Sequence, residues 1–273
     1  YTQHIATLTT LSTRYTHLIL VYISPVTPCF SQSPLPYTLL RISDYCIMFY
    51  LLLFLLMRRR PPRSTLFPST TLFRSHGHEI IISDGGSTDK TCELALPYVD
   101  TLISSAKGRS QQMNTGALQA NGDVFWFLHA DTIAPENADQ YINQTIKYNH
   151  CIWGRFNVHL SGKQFQFRII EFLMNLRSCL SGIATGDQGI FILRSYFKEL
   201  NGYKNIPLME DIESSKRLKN IRKPACIKHK ITTSSRRWEK NGILRTVFLM
   251  WKLRLAYYFG ASVDELAAQY KHV

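Results

Sequence analysis

The sequence lacks closely spaced cysteines, and it also lacks a long apolar run. None of its six cysteines forms a Cys-x-x-Cys pair; they are Cys29, Cys46, Cys92, Cys151, Cys179 and Cys226. This spacing argues against a zinc ribbon and against the disulfide framework of a small secreted domain, so we expect a reducing compartment. Residues 45–57 form an apolar run that is shorter than the ~20 residues needed to span a bilayer. Arginines follow this run, which is the wrong order for a secretory signal.

Residues 1–75 contain no lysine and a single acid, Asp44, against seven arginines. They show no sustained helical or alternating period, and residues 59–75 resemble translated sequencing-adapter sequence. We predict that residues 1–75 are a non-native or disordered segment, because an unpatterned segment cannot offset a backbone entropy cost of ~1–2 kcal/mol per residue. The locus should then encode a different upstream reading frame. The alternative is a genuine extension with residues 45–57 as an interfacial membrane anchor.

The remaining residues, 76–273, carry a net charge of +7 out of +13 for the whole chain. A basic surface favours nucleotide phosphates, anionic lipid or nucleic acid, and charge alone does not choose among them. No run of lysine and arginine is interleaved with aromatic residues, so we expect no nucleic-acid partner. The hydrophobic fraction of 45% is ordinary for a globular protein.

Short apolar strands alternate with helical segments from His76 onward. Strands are predicted at 79–83, 101–104 and 124–128, and helices at about 90–96 and 111–120. This alternation predicts an α/β domain with a mostly parallel sheet, built by right-handed crossovers and flanked by helices. The five bulky residues of the third strand predict that it is buried on both faces.

The third predicted strand leads into two polar residues, His129 and Asp131. In open α/β sheets, ligands bind beyond the carboxyl ends of the strands. A carboxylate beside an imidazole at that edge can bind a divalent cation that carries a diphosphate, because hard cations prefer oxygen ligands. The alternative is that Asp131 or Thr132 only caps the following helix.

Five motifs in a fixed order carry a family resemblance. They are Asp-Gly-Gly-Ser-Thr-Asp at 84–89, Gly-Arg-Ser-Gln-Gln-Met-Asn at 108–114, Phe-Leu-His-Ala-Asp-Thr at 127–132, Gly-Asp-Gln-Gly at 186–189 and Leu-Met-Glu-Asp-Ile-Glu at 208–213. Over about residues 77–270 the chain resembles a family 2 glycosyltransferase, which implies the Rossmann-like GT-A fold. The His-Ala-Asp-Thr form is similar to that of a bacterial subgroup.

The resemblance implies a nucleotide site in about residues 76–135. Asp84 matches the acid that contacts the nucleotide near its uracil, and Arg109 matches a basic position near the nucleotide. The other matching positions are Gly85, Asp89, Asn114, Ala130 and Asp131. Two alternatives stay open: Asp84 fixes its own turn, and Arg109 is an ordinary surface residue.

The resemblance also implies a divalent metal, Mn²⁺ or Mg²⁺, bridging the diphosphate of a nucleotide-sugar. Asp131 matches the last acid of the family's Asp-x-Asp motif. His129 replaces the first acid; an imidazole can bind manganese but adds no negative charge.

The family's acidic pair matches Glu210 and Asp211, and the resemblance implies that Asp211 is the general base on the acceptor hydroxyl. A sugar hydroxyl is a poor nucleophile until a proton acceptor lies within hydrogen-bond reach. One such carboxylate suffices for inversion, because attack and departure occur on opposite faces. The alternative is an acidic helix start, since acids favour the first turn of a helix.

The acceptor half is expected at about residues 150–240. By resemblance it includes Gly186, Asp187 and Gln188, which precede a predicted strand at 190–193, although a plain turn would have the same sequence. A loose match to a Gln-x-x-Arg-Trp signature adds Arg237 and Trp238. Ser234 stands in place of the glutamine, which argues against a processive polymerase.

A C-terminal amphipathic helix is predicted at about 241–260. Its apolar face is expected to pack on its own domain, with an anionic membrane as the alternative; this face consists of Leu244, Val247, Phe248, Trp251, Leu255, Tyr258 and Phe259. We expect a cytoplasmic protein, with peripheral contact at the inner face of the cytoplasmic membrane as the alternative.

One element expected from the resemblance is missing. Family members begin with a strand and a Pro-x-x-Asn-Glu turn that forms a wall of the nucleotide pocket, and residues 1–76 contain no such motif. We therefore expect the first strand to be absent, which would expose the neighbouring strand and impair the chain.

The sequence predicts a metal-dependent, inverting transfer of a sugar, from a donor expected to be UDP-linked, to an unidentified glycan or lipid-linked acceptor. A nucleotidyltransferase is the second candidate, because it also needs a metal-bound nucleotide on such a sheet. A non-catalytic nucleotide-sugar-binding or membrane-associated module is the third.

Overall fold

The computed structural model describes residue 73 and residues 76–270 in full, and residues 18–24 and 271 by their backbone alone. These residues belong to one compact unit, composed of Tyr1–Val26 and Arg63–Val273. The second unit, Thr27–Pro62, lies outside the described residues, as does the apolar run at 45–57. The interfacial anchor and the different upstream reading frame therefore stay predictions.

Seven strands form one sheet. They are β1 Leu18–Ser24, β2 Glu79–Asp84, β3 Thr101–Ser104, β4 Val124–His129, β5 Trp153–Leu160, β6 Ile190–Leu193 and β7 Ala225–Thr233. The strands predicted from the apolar runs at 79–83, 101–104, 124–128 and 190–193 are confirmed to within one residue.

Nine helices in the described part of the chain surround the sheet. They are α1 Thr91–Ala95, α2 Arg109–Gln119, α3 Ala138–Asn149, α4 Phe165–Ser181, α5 Arg194–Glu199, α6 Glu210–Ile221, α7 Arg236–Asn241, α8 Ile243–Tyr258 and α9 Val263–Lys271. Single 3-10 turns follow α1 at Leu96–Tyr98 and precede β6 at Gly186–Gln188.

The strand order is β3-β2-β1-β4-β6-β5-β7. β1 is antiparallel to both β2 and β4, and β6 is antiparallel to both β4 and β5. The pairs β2 with β3 and β5 with β7 are parallel. Five strands therefore run in one direction, so the carboxyl ends of β2 and β4 lie at the same edge. Across that edge Leu18 pairs with Asp84 and Ile19 pairs with His129, which separates Asp84 from His129 by two strand spacings, or ~10 Å.

The core lies on both faces of the sheet, because alternate residues of β4 point to opposite sides. Trp126 packs with α3 residues on one face, and Phe125 and Phe127 pack with α2 and α5 residues on the other. All five apolar residues of β4 are at most 3% exposed. Burial of this strand on both faces, as the sequence predicts, is confirmed.

Two parts of residues 1–75, the segment predicted to be non-native or disordered, belong to the described domain. The Leu-Ile-Leu-Val-Tyr-Ile-Ser run of Leu18–Ser24 forms β1 in the middle of the sheet. Phe73 is fully buried and its ring makes an edge contact with Trp126, with 5.6 Å between centroids. The physical reason for the strand is that β2 and β4 would otherwise leave two rows of backbone N–H and C=O groups unpaired. A strand therefore does precede β2, contrary to the expected absence of a first strand. This strand runs antiparallel to both of its neighbours.

A third cluster joins the C-terminal helices to the start of α6. Leu208, Met209 and Ile212 pack with Leu253 of α8 and Leu266 of α9. Helix α8 was expected to bury its Leu244, Phe248 and Trp251 face on the domain, and this prediction is wrong. That face is exposed, whereas Leu253, on another side of the helix, is fully buried.

The described helices include none that is both long enough and apolar enough to cross a bilayer.

Candidate active site

The turn after β2 is built around Asp84. Its Oδ2 accepts the backbone N–H groups of Gly86 at 3.0 Å and Ser87 at 2.9 Å, and its Oδ1 accepts the Ser87 hydroxyl. Burial alone would raise the pKa of Asp84, but the hydrogen bonds from Ser87 and Gly86 bring that pKa below its ordinary value. Asp84 therefore stays ionised and fixes the turn, in agreement with the alternative that the sequence left open. Its turn still lies at the edge of the sheet that carries His129.

The acidic pair lies at the start of α6. Met209, which precedes it, adopts a left-handed conformation with φ of 68° and is buried against the C-terminal helices. This anchor fixes the direction in which Glu210 and Asp211 enter the helix. Asp211 Oδ2 accepts the backbone N–H of Gly186 at 2.9 Å, which ties the start of α6 to the 3-10 turn before β6.

Four of the five motifs meet around one small cavity, with Met113 of α2 among its lining residues. His129 from the end of β4, Gly186 from the 3-10 turn, and the pair Glu210 and Asp211 line it together. A Cβ atom at Gly186 would lie 2.5 Å from Nε2 of His129, so only glycine allows this approach. The cavity holds about 10 Å³, roughly the space of one water, and a sugar ring would therefore bind outside it.

Glu210 has the most strongly perturbed carboxyl group of the site. It is 3% exposed, and burial is the main cause that raises its pKa to about 7, with the charge of Asp211 adding to the effect. The guanidinium of Arg109, 3.6 Å from Glu210 Oε1, acts in the opposite direction. The groups around Arg109, namely Tyr270, Glu210, Asp187 and Asp211, raise its pKa, although its side chain is 42% exposed. Perturbed groups of this kind cluster at functional sites more often than elsewhere.

A tyrosine that sequence reasoning missed links two of the predicted arginines. Tyr270 of α9 accepts a hydrogen bond at its hydroxyl from Arg109, at 3.4 Å, and another at its carbonyl from Arg237, at 3.1 Å. The Arg237 guanidinium also lies over the Tyr270 ring, 3.7 Å from its centroid. Tyr270 thereby joins Arg237 to Arg109, which lies 3.6 Å from Glu210.

Several other predicted residues have structural contacts. Asn114 uses both amide atoms on the backbone of Tyr203, at 2.8 and 2.9 Å. Gln188 is fully buried and accepts the Thr185 N–H at 3.2 Å. Asp89 accepts the N–H of Thr91 at 3.0 Å, at the start of α1.

For the remaining predicted site residues, the structure gives mainly their exposure to solvent. Gly85 is buried, and a Cβ there would come 3.0 Å from the side chain of Gln112. Ala130, Asp187 and Trp238 are half-buried. Asp131 is exposed, and its carboxylate makes no hydrogen bond or ion pair to another described residue.

A match to a protein-family model shows the family to which the chain belongs. The model of the family "Glycosyl transferase family 2" matches residues 74–214, just over half of the chain. The chain belongs to glycosyl transferase family 2. The resemblance drawn from the five motifs is thus confirmed, and so is the α/β fold that it implied.

No curated protein matches the chain in sequence. Among solved structures, the chain is similar to that described as "Crystal structure of S. aureus TarS 1-349", with a TM-score of 0.46 and 14% identity. The match covers 70% of this chain and 60% of the TarS chain. The family 2 chain therefore spans about 60% of the length of the relative that it matches.

Two side chains at the end of β4 have the chemistry of metal ligands. Asp131 offers an exposed carboxylate that no other described residue engages, and His129 offers an imidazole at the same strand end. Magnesium and manganese are commonly held by one or two carboxylates together with substrate phosphates, so this pair fits such an ion once a diphosphate is bound.

Proposed function

We propose that this family 2 chain is an inverting glycosyltransferase that moves a sugar from a UDP-linked donor to a hydroxyl of a glycan or lipid-linked acceptor. The observation that carries the proposal is the meeting of Asp211, Gly186 and His129 around one cavity at the carboxyl edge of the sheet. A site at this edge is where open α/β sheets bind ligands. We expect it to work in the cytoplasm.

Asp211 is proposed as the general base. The N–H groups of Gly186 and Ile212 each donate to one of its oxygens, at 2.9 and 2.7 Å, which fixes the plane of the carboxylate. As the acceptor oxygen bonds to the anomeric carbon, its proton passes to Asp211, and the bond from that carbon to the diphosphate breaks on the opposite face. No covalent sugar intermediate is needed, so the configuration inverts.

The two arginines are proposed to balance the charge of the departing diphosphate. Arg109 and Arg237 are held by the same residue, Tyr270, and a guanidinium matches phosphate oxygens in a bidentate manner. Glu210 keeps Arg109 beside the acidic pair. Asp131 and His129 would hold the divalent metal, which supplies positive charge to the diphosphate.

Asp131→Asn tests the donor side of this proposal. We expect the substitution to abolish manganese-dependent UDP binding in isothermal titration calorimetry while the circular dichroism spectrum stays unchanged, because one charged ligand is lost from an exposed position. Equal UDP affinity with and without manganese in both proteins would contradict the assignment. UDP release from UDP-sugars is then measured with the native chain. Binding without turnover for every acceptor would favour the non-catalytic module instead.

A further inference from the structure

A second cluster of metal-binding side chains lies away from the active site. His76 and His78 precede β2, and Asp139 is the second residue of α3. Nδ1 of His76 lies 3.1 Å, and Nε2 of His78 lies 3.0 Å, from the same oxygen of Asp139. His78 and Asp84 stand at opposite ends of β2, ~20 Å apart, so the cluster is separate from the turn that holds Asp84.

Two of the three spacings between the donor atoms fit a tetrahedral metal. A tetrahedron with bonds of ~2.0–2.1 Å has ligand atoms ~3.3 Å apart, close to the two nitrogen to oxygen distances found here. The donor atoms of all three residues lie within 4.8 Å of one another. Two imidazoles and one carboxylate form a donor set that zinc uses with a water as the fourth ligand.

Burial makes the cluster unlike an ordinary surface contact. His78 and Asp139 are 7% and 6% exposed, whereas the side chain of His76 is 35% exposed. A buried carboxylate that is not paired costs several kcal/mol, so ionised groups in such places are paired or bound to metals. Oδ1 of Asp139 is buried and has no hydrogen-bond partner among the described residues. One face of the cluster, at His76, opens to solvent and leaves room for a water ligand.

We propose that His76, His78 and Asp139 bind one divalent transition-metal ion of the zinc type, with water as the fourth ligand. The backbone N–H groups of His76 and His78 both donate to the carbonyl of Phe73, at 3.1 and 3.3 Å. A metal there would therefore fix the turn that holds Phe73 against Trp126 and would join the start of β2 to α3. The site is independent of the proposed sugar transfer.

Zinc titration of the full chain tests this site. The parent protein carries Asp131→Asn, which removes the carboxylate of the proposed active-site metal pair, and is stripped of metal with a chelator. We expect calorimetry to show one Zn²⁺ per chain and thermal unfolding to shift upward with zinc. His76→Ala should weaken zinc binding by more than the ~10–100-fold typical of losing a residue that only orients a ligand. Because His76 is partly exposed, its unfolding temperature without metal should match that of the parent.

Two further variants complete the experiment. Asp139→Asn should lose zinc in the same way, and it replaces His76→Ala if that variant does not fold. His229→Ala removes an exposed histidine outside the cluster, which stacks on Tyr141, and should bind zinc like the parent. A parent that takes up no zinc, or a His76→Ala variant with unchanged affinity, would show that the cluster is only a hydrogen-bonded network.

Discussion

Glu210 and Asp211 are adjacent carboxyl groups whose surroundings differ. Glu210 is almost fully buried beside Arg109, whereas Asp211 is half-buried and accepts two backbone N–H groups. Successive residues of a helix point ~100° apart, so the start of α6 sends the two side chains in different directions. The sequence predicted the pair and the role of Asp211. It could not predict the burial of Glu210, which depends on groups from distant parts of the chain.

Asp211→Asn separates catalysis from binding. Asparagine keeps an oxygen that can accept the Gly186 N–H but cannot take the proton of the acceptor hydroxyl. We expect kcat to fall ~100-fold or more with little change in the KM for the donor, measured by UDP release. Glu136→Gln, at an exposed acid outside the site, is the matched control. Lost donor affinity with unchanged turnover would assign Asp211 to binding instead.

Glu210→Gln should change how stability depends on pH. The pKa of Glu210 is about 7 in the folded protein against an ordinary value of 4.5. Between these pH values the folded state keeps a proton that the unfolded chain has released, so the native chain loses stability as pH rises through this window. Glutamine does not ionise, so the variant escapes this loss.

Urea unfolding of both proteins below pH 4.5 and above pH 7 measures the effect. As pH rises, we expect the free energy of unfolding of the variant to increase relative to that of the native chain. The increase should be ~1.4 kcal/mol for each unit of pKa shift. Above pH 7 the difference should become constant. Parallel curves across the whole window would mean that Glu210 titrates as an ordinary exposed carboxyl group.

At the scale of elements, α8 shows what an apolar period can and cannot predict. The period predicted the helix to within about two residues at each end, but it predicted the wrong buried face, because α8 has apolar residues on several sides. The choice of Leu253 as the buried residue comes from the third cluster, where α6 and α9 converge. Such a choice belongs to tertiary packing and has no local signal in the sequence.

Helix α9 supplies a residue to the site that no motif indicates. Tyr270 lies 161 residues from Arg109 along the chain, and neither its neighbours nor its spacing mark it as functional. In the sequence, Tyr270 is only an aromatic residue near the end of a C-terminal helix, and most such residues pack in a core.

Tyr270→Ala and Tyr270→Phe form a matched pair that tests this contact. Phenylalanine keeps the ring under Arg237 and loses the hydroxyl that Arg109 contacts; alanine loses both. We expect the alanine variant to lower kcat/KM for the donor about two- to fivefold more than the phenylalanine variant, the factor that about 0.5–1 kcal/mol of cation–π energy gives. Equal values for the two variants would mean that the ring does not position Arg237.

At the scale of the whole molecule, the sheet explains why the motifs could be placed from sequence. Asp84 and His129 are the last residues of two strands that run in the same direction. The α/β pattern therefore predicts that both residues lie at the same edge of the sheet. β1 was not predicted because residues 1–75 as a whole show no sustained helical or alternating period. The strand itself is nevertheless rich in the branched and aromatic side chains that favour strands.

Val21→Pro tests whether β1 supports the sheet. Val21 pairs with Ile81 on one side and with Phe127 on the other. Proline lacks an N–H and does not fit a central strand, so we expect a loss of about 3 kcal/mol or more in the free energy of unfolding, measured with urea. Val21→Thr keeps the branched side chain and is the control. The same unfolding midpoint for both variants would mean that residues 18–24 add nothing to stability.

The close contact of Gly186 with His129 has an evolutionary consequence. A Cβ at position 186 would collide with the imidazole, so the two positions cannot vary independently. A lineage that keeps histidine at the end of β4 must keep glycine in the turn before β6. A lineage with the shorter aspartate at position 129 gains room for alanine at position 186. The two positions, although distant along the chain, would then form one coevolving pair, and a change at one would open the way for a change at the other.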